Sequence, residues 1–403
     1  MERPTAHGRE LGGQQGVALL IVLSAVVVLA AAVSEFSYNT RINIGMTQHV
    51  QKEVQAYFAA RSGIAIALFT LEAKEVVDKV LGLYSAFTGG KGSMANIEIW
   101  RAIEPLCKGF ATSKFSLYGI DLMDMSGVPG LGLPEGQDFN CKVELEDGKM
   151  NINLVNSAAD KQTLYTELRG LFMREFHSDL FEENERRIDE VIAAIMDWAD
   201  QDDNKTQFEQ GLVVEATGGG GEGGGGRYGR YGYKVKNAKY DTVEELRYVD
   251  GVTDGLYCLL KDRVTVYNTE KLNVNSADIE VIKGLVCSHL VDKGQILCNP
   301  QMREAGVPTP IDIVAEYMEM CRQVKNQLFT PPFSSAKDFV GFFTKLGAFV
   351  GEDLPLDAAG LQAKVGTKGK IWRVSATGQA GKVVKTISVV LDTSTGKVVY
   401  WRE

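Results

Sequence analysis

The segment Ile195-Met-Asp-Trp-Ala-Asp-Gln-Asp-Asp-Asn204 gathers Asp197, Asp200, Asp202, Asp203 and Asn204 within eight residues, and Glu209 follows close behind. Carboxylates at this density repel one another unless a cation or solvent lies between them. Hard oxygen donors with no neighbouring His or Cys favour calcium over zinc. The spacing is not that of an EF-hand: counting from Asp200, the sixth residue is Lys205 where that loop needs glycine, and the twelfth is Gly211 where it needs glutamate. Two readings stay open, a structural calcium site or a solvated acidic helix end with Asp197 and Trp198 partly packed.

Nucleophilic or phosphate chemistry has less support. Cys287-Ser-His289 brings a thiol and an imidazole together in sequence, but neighbours on a helix point apart, and catalysis needs them paired in space. A disulfide or a buried thiol is the simpler role. His7, His49 and His177 form no cluster with metal-ligand spacing, so no catalytic zinc and no enzyme is read. Residues 218–226 hold eight glycines around Glu222. With neither a preceding strand nor a following Lys-Ser/Thr, the tract reads as a flexible loop and not as a phosphate cradle.

Composition bounds the rest. The chain has 403 residues, 45% hydrophobic and 24% charged, enough for two or three domains with a real core. A formal charge of −9 makes nucleic acid a poor partner. Six cysteines suit an oxidising compartment and fit no zinc pattern. Pairing is expected within each of two groups, Cys107 with Cys141, and among Cys258, Cys287, Cys298 and Cys321. The last four allow three connectivities, of which Cys287 with Cys298 closes a short loop.

The elements that position these residues begin with an apolar run. From Val17 to Val33 only Ser24 is polar, and Gly16 and a polar leader, residues 1–15, precede it. At 1.5 Å per helical residue, seventeen residues reach roughly 25 Å, the lower limit for crossing a hydrocarbon core. No proline occurs between Pro4 and Pro105, so the helical pattern continues into polar sequence as one rod leaving a membrane. Its later half repeats apolar residues at Val50, Val54, Tyr57, Ile64, Leu68 and Leu71, a packed face, with Gly45 and Gly63 as candidate soft points. Short strands are expected at 115–117 and 141–145 and as a C-terminal meander over 371–378, 382–391 and 397–401. Strands before residue 150 and after residue 370 can close one sheet around a helical insertion. Inside the insertion Asn151-Ile-Asn and Asn273-Val-Asn each precede a Ser-Ala helix start, an internal echo in which asparagine side chains bond local backbone.

Glycine before an uncut apolar helix resembles the type IV prepilin class, whose peptidase cuts after that glycine and leaves the helix on the mature chain. The mature protein would then start at Val17, and methylation would accompany processing. Most of the class carries glutamate at the fifth mature position, where Ile21 stands here. That loss is typical of the minor pseudopilin K family of type II secretion systems. The insertion resembles the same family in order: Ile152-Asn-Leu-Val-Asn, Asp197-Trp-Ala-Asp-Gln-Asp, Glu245-Leu246 with Val249-Asp-Gly251, then Asn273-Val-Asn-Ser-Ala. The family's segment after the acidic loop is replaced by the glycine tract.

The resemblance implies an α+β fold: a pilin-like long N-terminal helix on a small antiparallel sheet, with a large mainly helical domain inserted into the sheet region. The boundaries expected are a leader over 1–16, a transmembrane half-helix over 17–33, pilin-like sequence over 34–150, the insertion over 151–350 and C-terminal strands over 351–403. It implies a single pass through the bacterial inner membrane with the bulk in the periplasm, at the tip of a pseudopilus. The partners would be other minor pseudopilins, the inner-membrane assembly platform, the prepilin peptidase, and secreted cargo or the outer-membrane secretin. It also implies structural calcium at Asp200, Asp202 and Asp203, with Glu222 or a backbone carbonyl as a remote ligand. The competing class is a DNA-handling competence-type pseudopilin, since the Asn-x-Asn-Ser-Ala elements resemble helix-hairpin-helix openings.

Overall fold

A computed structural model of the chain describes residues 12–87, 98–117, 120–125, 127, 133–134, 136–175, 180–181, 184–215, 228–267, 269–291, 298, 309–327, 330–350 and 355–403. Helix α1 (Gly12–Phe87) runs 76 residues without a break, about 110 Å at 1.5 Å per residue. Absence of proline allows it, and from Gly16 to Val50 every residue but Thr40 is exposed. Val17, Leu20, Leu29 and Val33 are all more than half exposed. Its most apolar window has mean hydropathy 2.9 with none of it buried, so the helix is long and apolar enough to cross a membrane.

The second half of α1 packs largely on the face read in sequence, with Ile64 and Leu71 buried and Tyr57 and Leu68 half-buried against the same core; the stripe departs from that reading at its start. Val50 and Val54 are exposed, whereas Ala56, Ala59, Ala60, Ile64, Ala67 and Leu71 are buried at helical spacing. Small residues win because the sheet comes close. A Cβ on Gly63 would stand 3.0 Å from that of Ala376 and 3.2 Å from the Phe139 ring. Gly63 is thus a packing position and not a soft point, while Gly45 has nothing within 4 Å.

Beyond α1 come α2 (Ile103–Thr112), a hairpin of β1 (Lys114–Leu117) and β2 (Ile120–Asp124), and β3 (Gln137–Leu145). The chain returns to this sheet only at its end, with β10 (Ile371–Ala380), β11 (Val383–Asp392) and β12 (Lys397–Arg402). The antiparallel order is β12-β11-β10-β3, with Val374 opposite both Val143 and Val389. Alternation along β10 sends Trp372, Val374 and Ala376 into one core with Ile64, Leu71, Ile103, Val143 and Ile387.

The insertion occupies the interval between those strands and has a core of its own. It comprises β4 (Met150–Asn151), α3 (Ala158–Glu175), α4 (Glu185–Ala199), the hairpin β5 (Thr206–Glu209) and β6 (Leu212–Glu215), α5 (Asp254–Leu260) and β7 (Val264–Thr265). It continues with β8 (Leu272–Asn273), α6 (Ile279–Ser288), α7 (Pro310–Gln327), α8 (Ala336–Val350), α9 (Ala358–Lys364) and β9 (Val365–Gly366). The echo is structural: β4 pairs in parallel with β7, and β8 pairs in parallel with β9. The two halves meet where α3 crosses α6 at Gly170 and Gly284. A Cβ on Gly170 would stand 2.4 Å from the Gly284 carbonyl oxygen.

The insertion therefore ends near Gly366 and not at residue 350. Strand β9 pairs with β8, and Leu361 and Val365 are buried in the helical core. A short 3-10 turn, Glu146–Gly148, joins the two bodies. Glu146, 1% exposed, pairs with Arg373 and Lys149, while Asp147 accepts from the backbone N–H of Lys370 and Ile371. Burial pushes Glu146 up, yet Lys149 and Arg373 outweigh it and hold the carboxyl below its ordinary value. Burial dominates at Asp147, which is raised.

Candidate functional site: exposed helix and acidic loop

At the start of α1, Gly16 has open space around it, and Val17 and Ile21 are 58% and 62% exposed. The three residues thus lie on an uncovered helix. Further along the rod Val50, Val54, Phe58 and Phe69 stay exposed beside the buried stripe. Tyr57 donates to Glu403 at 3.0 Å and Lys385 pairs with Glu53, which ties the C-terminal strands to the rod.

The acidic loop hangs from the C-terminal end of α4. Asn184 caps the start of this helix by accepting from Arg187 N–H, and Ile188, Val191, Ile192 and Ile195 bury its inner face. The helix carries Asp197 and Asp200 into the interior, each 4% exposed. Asp197 Oδ1 accepts from Thr206 N–H at 2.9 Å and so starts β5. Asp202 Oδ1 accepts from Asn204 N–H, and Asp203 Oδ1 accepts from Asn237 Nδ2 at 2.9 Å. Trp198 Nε1 donates to Glu245, which also pairs with Lys236 at 2.8 Å. Burial pushes Glu245 up, but Lys236, Asp241 N–H and Trp198 more than offset it and its pKa is lowered.

One participant has no counterpart among the residues read from sequence. Lys161 on α3, itself 3% exposed, puts Nζ 2.9 Å from Asp200 Oδ2 and 3.9 Å from Asp202 Oδ2. In sequence Lys161 stands four residues after Ser157 in the first turns of α3, with nothing nearby in the chain to set it apart from a surface lysine. Calcium asks for six to eight oxygens in one shell. Among the described residues no group of three or more His, Cys, Asp or Glu side chains is placed to hold a metal ion. Asn204 and Glu209 are exposed. Glu222 and the tract 218–226 lie outside the described residues. Among the described residues the set does not fit a calcium cage, because N–H donors and an ammonium group face the carboxylates.

Cys107 and Cys141 form one disulfide beneath α1, and Cys287 and Cys298 form a second. Cys258, exposed on α5, and Cys321, half-buried on α7, remain thiols. These two sit on helices of different halves of the insertion and do not pair, contrary to the expectation for four bonded cysteines. His289 Nδ1 lies 2.8 Å from the Leu285 carbonyl oxygen, and Cys287 is disulfide-bonded, so no Cys/His pair forms.

The four echo asparagines are buried and bond their own chain. Asn153 Nδ2 donates to the carbonyls of Tyr240 and Val266, and its Oδ1 accepts from Tyr240 N–H. Asn275 repeats this with Phe333 and Thr367, its Oδ1 accepting from Phe333 N–H. Each clamps the residue ahead of a helical segment to the return strand of its half. These asparagine side chains are thus engaged with the protein's own backbone.

No family model matches the chain, and no curated protein matches it in sequence. Among solved structures, a chain of the GspK–GspI–GspJ complex from the enterotoxigenic Escherichia coli type 2 secretion system matches at 13% identity with a TM-score of 0.52. The match covers 89% of this chain and 98% of that one. At this identity the likeness is one of fold. The chain has the fold of a component of a type 2 secretion system: a long N-terminal helix, a small antiparallel sheet and further helices.

Proposed function

We propose that this chain is the minor pseudopilin K of a type II secretion system. The observation that carries the reading is the extent of the shared fold, which takes in nearly all of both chains, insertion included. The uncovered apolar half of α1 supports a single-pass anchor in the inner membrane, and two disulfides suit the periplasm for the remainder. Cleavage after Gly16 frees the amine of Val17. A glutamate at the fifth position neutralises the amine of a neighbouring subunit, so apolar Ile21 fits the one position with no subunit beyond it, the filament tip.

The role is mechanical. The solved complex contains GspI and GspJ alongside GspK, and we assign this chain two minor pseudopilins as partners, with which it initiates assembly and supports protein export. The exposed row Val50, Val54, Phe58 and Phe69 on α1 supplies apolar area for a parallel helix of a partner. The assembly platform and the prepilin peptidase act on the membrane half. Co-expression of the full chain with the two other minor pseudopilins of its own system tests the reading. A three-subunit complex on size exclusion in detergent is the expected outcome; elution of this chain alone under the same conditions would count against it.

A further inference from the structure

We propose that Lys161 is the built-in counter-ion of the acidic loop, so that the insertion folds without calcium. The geometry is specific. The Lys161 ammonium is 2.9 Å from Asp200 Oδ2 and 3.9 Å from Asp202 Oδ2, inside a site where lysine and Asp200 side chains are each 4% exposed. A buried carboxylate needs a partner of opposite charge, because desolvation otherwise drives it to protonate or unfold the site. An ammonium and a calcium ion answer that need in exclusive ways. A cation bound to Asp200 would place two positive centres within one contact distance in a poorly solvated interior.

The rest of the loop is built consistently with a lysine. Asp197 closes on Thr206 N–H, Asp202 on Asn204 N–H, and Asp203 on Asn237. Each of these carboxylate oxygens accepts from a neutral donor, whereas Asp200 Oδ2 faces the Lys161 ammonium. Asn237 holds φ at 47°, in the left-handed region, and also donates to the Asp202 carbonyl oxygen at 2.9 Å. The backbone of the loop is thereby fixed by protein groups. Lys161 reaches the loop because α3 and α4 pack side by side, with Tyr165 one turn further along α3 stacking on Phe208 of β5 at 4.0 Å.

The test is thermal unfolding of the full chain in detergent, in millimolar calcium and in chelator. The wild type is expected to melt at the same temperature in both and to give no calcium-binding heat by calorimetry. Lys161→Met is expected to melt lower and to recover in calcium and not in magnesium, because it exposes Asp200 to a cation of suitable size. The double variant Lys161→Met with Asp200→Asn removes both charges and is expected to melt close to the wild type, independent of calcium. A wild-type melting temperature that rises with calcium would overturn the proposal. So would a Lys161→Met chain as stable as the wild type in chelator, or a double variant no more stable than the single one.

Discussion

Gly378 of β10 lies against the backbone of α1: a Cβ there would stand 2.1 Å from the Ala56 carbonyl oxygen and 2.4 Å from the Ala60 nitrogen. No rotamer relieves a clash with backbone. The rod and the sheet touch through glycine and alanine, at Gly63 against Ala376 and at Gly378 against Ala56, and this close approach seats the long helix on the rest of the molecule.

Gly378→Ala is expected to separate the rod from the sheet locally and to destabilise the body formed by α1 and the four-stranded sheet by about 3 kcal/mol or more, the upper range for overpacking a rigid core. A Gly45→Ala control, with no atom within 4 Å to meet, should be neutral or slightly stabilising. Chemical denaturation followed by circular dichroism separates the two.

Glu167 on α3 gives the fold a pH dependence. It is 8% exposed, and burial pushes its carboxyl from 4.5 up to about 7, with Lys364 only partly opposing. A carboxyl raised in this way binds more protons folded than unfolded between those values, so stability is greatest near the lower pH and falls as pH rises through about 7. The loss is on the order of 3 kcal/mol. Glu167→Gln should flatten melting temperature against pH; an unaltered slope in that variant would assign the dependence elsewhere.

The two disulfides close loops of different length, with separations of 34 and 11 residues. Chain-entropy reasoning gives about 4 kcal/mol for Cys107–Cys141 and about 3 for Cys287–Cys298. Cys107→Ser with Cys141→Ser should lower stability more than the corresponding pair in the insertion, and non-reducing peptide maps should leave Cys258 and Cys321 free.

Asn275→Ala would orphan the carbonyls of Phe333 and Thr367 and the N–H of Phe333, with Asn275 only 3% exposed. Buried polar groups left unpaired cost about 1–3 kcal/mol each, so the variant should melt well below the wild type. Asn153→Ala should behave alike through Tyr240 and Val266. Equal and large effects at both positions would show that the halves use the same clamp.

Much of the architecture was legible because it rests on local pattern. The apolar run from Val17 to Val33, the C-terminal meander and the paired Asn-x-Asn starts each declare themselves within a few residues. What escaped reading depends on partners distant in sequence. Ile64 and Leu71 of the buried stripe were legible, but its alanines, Ala56, Ala59, Ala60 and Ala67, carry little periodic signal, and Ala56 and Ala60 meet Gly378, more than three hundred residues away. The extension of the insertion to Gly366 is set by pairing of β9 with β8. In the acidic loop the carboxylates were visible, but the group that answers them, Lys161, comes from another helix and looks like an ordinary surface lysine. Composition could register the charge density and not its counter-ion.

The proposed place of this chain at a filament tip is tested most directly by labelling. In a host that overproduces the major pseudopilin, filaments should carry antibody label to this chain at one end only, with N-terminal sequencing of the same material starting at Val17. Label spaced evenly along the filaments would contradict the tip assignment.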